Sequence, residues 1–167
     1  AEWIYAANIA LIRRADAVDF SEKDWDDVMN VNIKSAFFMS QAAGKHFIAQ
    51  GRGKIINIAS MLSFQGGIRV PSYTASNSGI AGITRLLANE CAAKGVNINA
   101  IAPGYMATDN TAQLRADEDR NKAILDRIPA ARWGEPADLG GTAVFLSSAA
   151  SDYVNGAVIP VDGGWLA

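Results

Sequence analysis

Apolar residues recur along this chain with two spacings. Residues 3–7, 54–59, 96–102 and 156–161 are short runs of strand length, and the first is almost wholly apolar, the pattern of a strand covered on both faces in a parallel sheet. Helical spacing fills the intervals. Ser21 followed by Asp24 predicts a helix start close to a capping box, with Trp25, Val28, Met29 and Asn32 following at helical intervals. A second helix is predicted over 35–50, closed by Gly51 and Gly53. The third, over 73–94, carries Ile80, Ile83, Leu86, Leu87 and Cys91 on its apolar side and stops at Gly95. Residues 109–127 are polar with a weak helical period, and Pro129 ends them. Pro136 opens a last helix reaching about Ser148. Pro160, which cannot donate to a ladder, assigns the final strand to a sheet edge.

The chemistry concentrates between the second strand and the third helix. Ser60 closes the strand, so its hydroxyl falls at the carboxyl edge of the sheet, where open α/β folds place their ligands. Tyr73 opens the helix thirteen positions later (73 − 60 = 13). A loop that leaves the sheet and returns as a helix can bring both hydroxyls over one ligand atom, one donating a hydrogen bond and the other a proton, which is carbonyl or alcohol chemistry. Taken singly, each residue has a plainer reading. Ser60 can bond its own loop, Tyr73 can be an amphipathic core tyrosine, Asn32 can cap the second helix, and Thr108 can cap a loop.

Composition narrows the choice. The chain has 167 residues, half of them hydrophobic, enough for one core but not two independent domains. A net charge of −2 and an isoelectric point near 5.3 offer no basic stripe for nucleic acid. Cys91 is the single cysteine, so no internal disulfide and no thiolate metal site forms, and it is expected to be a buried small hydrophobe. His46 falls on the polar side of its helix without a second ligand nearby, and no metal is expected. With no basic leader and no apolar run of about 18 residues, no membrane is expected and the expected compartment is the cytoplasm.

These motifs together resemble the short-chain dehydrogenase/reductases. Ser60 and Tyr73 match the family's Ser and Tyr-x-x-x-Lys, Asn32 matches its earlier Asn, and Pro103-Gly104 with Thr108 matches its later loop. Position 77 holds Asn where the family has Lys, and Ala7-Asn8-Ile9-Ala10 stands where it usually has Asn-Asn-Ala-Gly. Segments such as Leu11-Ile12-Arg13-Arg14 and the ending Val161-Asp162-Gly163-Gly164-Trp165-Leu166-Ala167 resemble the branch acting on 2-deoxy-D-gluconate or 2-keto-3-deoxy-D-gluconate.

The resemblance implies a doubly wound, Rossmann-like parallel α/β sheet, of which residues 1–167 are the carboxyl-terminal part, amino-terminally truncated and lacking the family's Gly-rich turn. It implies NAD or NADP as cofactor, a sugar-acid-like substrate and a homotetramer. Its catalytic set would be Asn32, holding a relay water, Ser60, steadying the carbonyl, Tyr73, the general acid or base, and Asn77 at the lysine position. Its cofactor contacts would be Asn8, Ala10, Ile58, Tyr73, Asn77, Pro103, Gly104 and Thr108. For a substrate carboxylate, Arg14, Arg69 and Arg115 are the candidates. An unperturbed Tyr titrates near 10 and Asn77 brings no charge, so an impaired enzyme is expected. The alternative is a non-catalytic relative acting through assembly or regulatory binding.

Overall fold

A computed structural model of the chain describes residues 4–7 and 10–167, Ala7 by its backbone alone. Strands β1 (Ile4–Ala7), β2 (Gly53–Ile58), β3 (Val96–Pro103) and β4 (Val158–Val161) form one parallel sheet in the order β1-β2-β3-β4. Parallel neighbours need long crossovers, and here every crossover is helical. Between β1 and β2 come α1 (Glu22–Met29), a π-helical turn (Asn30–Lys34) and α2 (Ser35–Gln50). Between β2 and β3 comes α3 (Pro71–Cys91). Between β3 and β4 come α4 (Ala112–Ala116), α5 (Glu118–Arg127) and α6 (Gly140–Ser147).

Alternation along the strands builds two cores. Ile55 and Ile98 pack with Phe47, Leu87 and Cys91 under α2 and α3, while Ile56 and Ile101 pack with Leu146 of α6 on the opposite face. Both faces of β2 and β3 are therefore covered, and the polar residues that alternate in β3, Asn97 and Asn99, are buried with their amides donating to Asp152 O and Val154 O. The buried Asn57 of β2 joins the layers. It accepts from Ser40 Oγ of α2 and donates to Thr84 Oγ1 of α3, each at 3.0 Å.

The expected elements recur with local differences. Ser21 caps α1, its hydroxyl accepting from Asp24 N at 3.1 Å. The polar stretch after Thr108 is broken at Asp117, whose extended backbone (ψ 108°) ends α4 and whose carboxylate caps α5 by accepting from Arg120 N. The helix at Pro136 opens with a 3-10 turn to Leu139 before α6 begins. β4 starts two residues later than expected because Gly156 turns with φ +71° and Ala157 N donates to the Asn99 side chain. Pro160 lies on β4, the last strand on that side among the described residues. Cys91 is buried, and His46 is exposed.

Candidate functional site

β2 runs directly into the site. Its ladder ends with Ala59 N donating to Ile101 O at 2.8 Å, and Ser60 follows with an extended backbone (φ −156°, ψ 165°). Ser60 Oγ accepts from Leu62 N at 3.2 Å, so its own proton remains available to another acceptor. Pro71 occupies the first turn of α3, where its missing N–H costs nothing, and Tyr73 follows in the same turn. Two hydroxyls fasten the next turn of α3 to the loop after Ser60. Ser63 Oγ donates to Asn77 O at 2.7 Å, and Ser78 Oγ donates to Leu62 O at 3.1 Å.

The phenol of Tyr73 lies within hydrogen-bonding reach of the Ser60 hydroxyl and the Asn77 amide. Burial pushes its pKa above the ordinary 10.0, and Ser60, Asn77 and the charge of Arg14 pull it back only in part. At neutral pH the phenol therefore carries its proton. Asn77 is buried, and its Nδ2 donates to Tyr73 O at 2.9 Å, one turn back on the same helix. Its amide oxygen has no donor among the described residues, an open valence that a ligand hydroxyl would fill.

Asn32 does not cap α2. It is buried in the π-helical turn, where Oδ1 accepts from Leu11 N at 2.8 Å while Nδ2 donates to Leu11 O at 3.0 Å and to Ser76 Oγ at 3.1 Å. Ser76 Oγ in turn donates to Tyr73 O at 3.0 Å. A chain of bonds thus joins the segment after β1 to the turn that carries Tyr73. The Asn32 backbone carbonyl, expected to face a water, accepts from the backbone N–H of Ser35 and, at 3.3 Å, from its hydroxyl.

Pro103 ends β3, and Gly104 N donates to Val161 O at 2.9 Å. A Cβ on Gly104 would stand 2.5 Å from Asp162 Cα, so the close approach of the C-terminal segment demands glycine here. Thr108 precedes a 3-10 turn, with its N–H donating to Thr111 Oγ1 and its carbonyl accepting from Arg115. Behind this loop, Asp138 is held to about 2 by the Arg132 guanidinium and the Glu135 N–H. The cavity of about 220 Å³ beside that ion pair includes neither Ser60 nor Tyr73. Ile58 is half-buried at the end of β2 and packs toward the α6 layer, and Ala10 is exposed beyond β1. Asn8 lies outside the described residues. Among those described, no group of three or more metal-ligating side chains occurs, and no helix is long and apolar enough to cross a membrane.

A family model described as enoyl-(acyl carrier protein) reductase, of the short-chain alcohol dehydrogenase type, matches residues 4–166. The chain belongs to the short-chain dehydrogenase/reductase family. Over 165 residues it is 75% identical to 2-dehydro-3-deoxy-D-gluconate 5-dehydrogenase of Escherichia coli (strain K12), covering 98% of this chain and 65% of that protein. It is 59% identical to the enzyme of that name from Bacillus subtilis (strain 168), over 98% of this chain and 64% of the relative. The chain thus spans about 65% of the length of the curated relatives it matches. Among solved structures, a provisional 2-deoxy-D-gluconate 3-dehydrogenase from Agrobacterium tumefaciens with bound NADP superposes with a TM-score of 0.96. That protein is 66% identical, and the match covers 98% of this chain and 67% of the other. A gluconate 5-dehydrogenase from Burkholderia cenocepacia in complex with NADP and tartrate matches with TM-score 0.96 at 38% identity, over 98% and 64% of the two chains. The parallel Rossmann-like architecture expected from the sequence is that of these short-chain dehydrogenases.

Sequence reasoning missed Ser76, although a signal was there. Ser72, Ser76 and Ile80 repeat every four residues on the buried side of α3, where a serine hydroxyl needs a partner. It also missed what the arginines do. Arg13 pairs with Asp24 (3.4 Å), Arg69 with Asp16 (2.9 Å), and Arg127 stacks 3.9 Å above the Trp165 ring. Such partners lie outside helical periodicity and become visible only when loops meet.

Proposed function

We propose that the complete protein is an oxidoreductase that interconverts a secondary alcohol and a ketone on a sugar acid, with NAD or NADP as hydride carrier. The preferred substrate is 2-dehydro-3-deoxy-D-gluconate, named by relatives up to 75% identical. The convergence of the Ser60 hydroxyl on the Tyr73 phenol at the carboxyl ends of β2 and β3 carries this reading. Ser60 donates its hydroxyl proton to the substrate oxygen while accepting from Leu62 N. Tyr73 exchanges the proton at that oxygen. Asn77 offers its open amide oxygen to a ribose hydroxyl, and Thr108 and the backbone of Pro103 and Gly104 border the nicotinamide. The cofactor supplies the hydride when bound. Of the candidate cations, Arg69 is already paired, whereas Arg115 on α4 is tied to the Thr108 carbonyl at 3.1 Å and keeps the rest of its fork for a carboxylate.

The test follows nicotinamide absorbance in the complete protein with 2-dehydro-3-deoxy-D-gluconate, gluconate and neutral sugars. Turnover confined to the sugar acids is expected. If neither the protein nor its Asn77→Lys variant turns any of them over, the reading is wrong and a non-catalytic role in assembly or regulation replaces it.

The same proposal extends to assembly. Phe38 and Met39 of α2 and Leu86 of α3 are about half exposed on adjacent helices, an apolar surface that a second copy would cover. A homo-oligomer, most simply a tetramer, is expected by light scattering at micromolar concentration; a monomer there would refute it.

A further inference from the structure

The segment between β1 and α1 is fastened at two points to the start of α3. At one end the backbone of Leu11 is held on both sides by Asn32, whose amide also reaches Ser76. At the other, Ala15 N donates to Arg69 O at 3.2 Å, and Arg69 closes the contact with its ion pair to Asp16. Arg69 holds a left-handed backbone (φ +63°), unfavourable for a residue with a side chain, and these two contacts offset that cost. Ser76 and Arg69 bracket Tyr73 along the chain. Residues 11–15 therefore pass alongside the turn that carries the phenol, with position 14 just before the second fastening.

The charges along this segment are unequally engaged. Arg13 is neutralised by Asp24 and Arg69 by Asp16. Arg14 has no hydrogen-bond or ion-pair partner among the described residues, and it is exposed. Position 77, one turn beyond Tyr73, contributes a neutral amide.

Resting on the oxidoreductase reading above, we propose that Arg14 is a positioning residue that acts through Tyr73, its unpaired charge replacing in part the cation that position 77 does not supply. The groups that act on the phenol agree with this placement. They are the Ser60 hydroxyl from the loop after β2, the Asn77 amide from α3 and the Arg14 charge from the segment after β1, and Arg14 is the one charged side chain among them. A guanidinium suits the task because it stays protonated throughout the range in which a phenol titrates. It acts from the solvent side, so its field is screened and weaker than that of a buried ammonium.

The test reads the phenol directly. In the complete protein with ¹³Cζ-labelled tyrosine, the Tyr73 signal is assigned by its loss in Tyr73→Phe and titrated by NMR. Arg14→Gln is expected to raise the Tyr73 midpoint by roughly 0.5–1.5 units, and Arg14→Lys to leave it within a few tenths. Should alkaline unfolding cut the titration short, the comparison is repeated in Asn77→Lys, whose phenol titrates lower. The basic limb of the pH–rate profile should move with the midpoint and be restored by the lysine variant. An unchanged midpoint in Arg14→Gln overturns the proposal. So does an Arg14→Gln effect confined to the KM for the sugar acid, which would make Arg14 a carboxylate ligand instead. Failure of the oxidoreductase reading is separate: neither the protein nor Asn77→Lys would then turn over any sugar acid, while the titration still reports the field of Arg14.

Discussion

Asn77→Lys in the complete protein is expected to raise turnover by on the order of 10² or more, and to move the basic limb of the pH–rate profile down by as much as roughly three units. The reason lies in how the phenol is held. Burial raises the Tyr73 pKa above 10.0, and the two groups nearest it, Ser60 and Asn77, are neutral dipoles. A lysine ammonium about 4 Å from the phenolate at an effective dielectric near 20 would contribute up to roughly 4 kcal/mol, far more than an amide. The sign is fixed by charge. A cation favours the deprotonated form, so the folded pKa falls and the phenolate needed to take a proton from the alcohol appears at lower pH. The substitution removes the bond from Asn77 Nδ2 to Tyr73 O, but that carbonyl keeps the Ser76 hydroxyl at 3.0 Å, so the turn should stay in place. Tyr73→Phe should abolish the gain, since no other group at this place exchanges a proton with the substrate oxygen. The profile is read from nicotinamide absorbance across a pH series. An unchanged rate and profile in Asn77→Lys, with Tyr73→Phe also silent, would exclude Tyr73 as the proton-exchanging group.

Much of this arrangement was legible in the sequence because it is periodic or local. The apolar runs became β1 to β4, of which only the central β2 and β3 are buried on both faces, and Gly95 closes the 3-10 turn after α3 as expected, while α3 opens at Pro71, two residues before the expected Tyr73. The thirteen-residue interval from Ser60 to Tyr73 was enough to bring the two hydroxyls together, because the loop between them is stitched to α3 by Ser63 and Ser78. What periodicity could not reveal are bonds between distant loops. Asn32 meets Leu11 across 21 positions and Ser76 across 44, and Trp165 Nε1 reaches Gln65 Oε1 across 100. The side-chain bonds of Asn32 are of that kind. A lone Asn at a helix junction reads as a cap, but here a π-helical turn adds a residue to the helix and points the side chain at two other segments.

That placement makes Asn32 the most sensitive polar position of the site. Asn32→Ala is expected to cost about 2–3 kcal/mol, because it removes three hydrogen bonds at once and leaves both backbone groups of Leu11 unpaired. Asn32→Asp should cost about 3–5 kcal/mol despite its matching shape. One carboxylate oxygen can still accept from Leu11 N, but the other would face the Leu11 carbonyl, and a buried charge without a partner is severely penalised. The order of the two variants thus separates a hydrogen-bonding role from simple space filling, for which the isosteric aspartate would be the milder change. Ser76→Ala should cost less than either, and its effect should shrink when Asn32 is already alanine, because the pair shares one bond. Urea unfolding of the wild type, the three single variants and the Asn32→Ala/Ser76→Ala double variant gives these differences from their midpoints at constant slope. Both Asn32 variants should also raise the Tyr73 pKa, since freeing Leu11 releases the segment that presents Arg14. If they unfold at the wild-type midpoint, the Leu11 and Ser76 bonds do not hold that segment, and Arg14 has no fixed place beside the phenol.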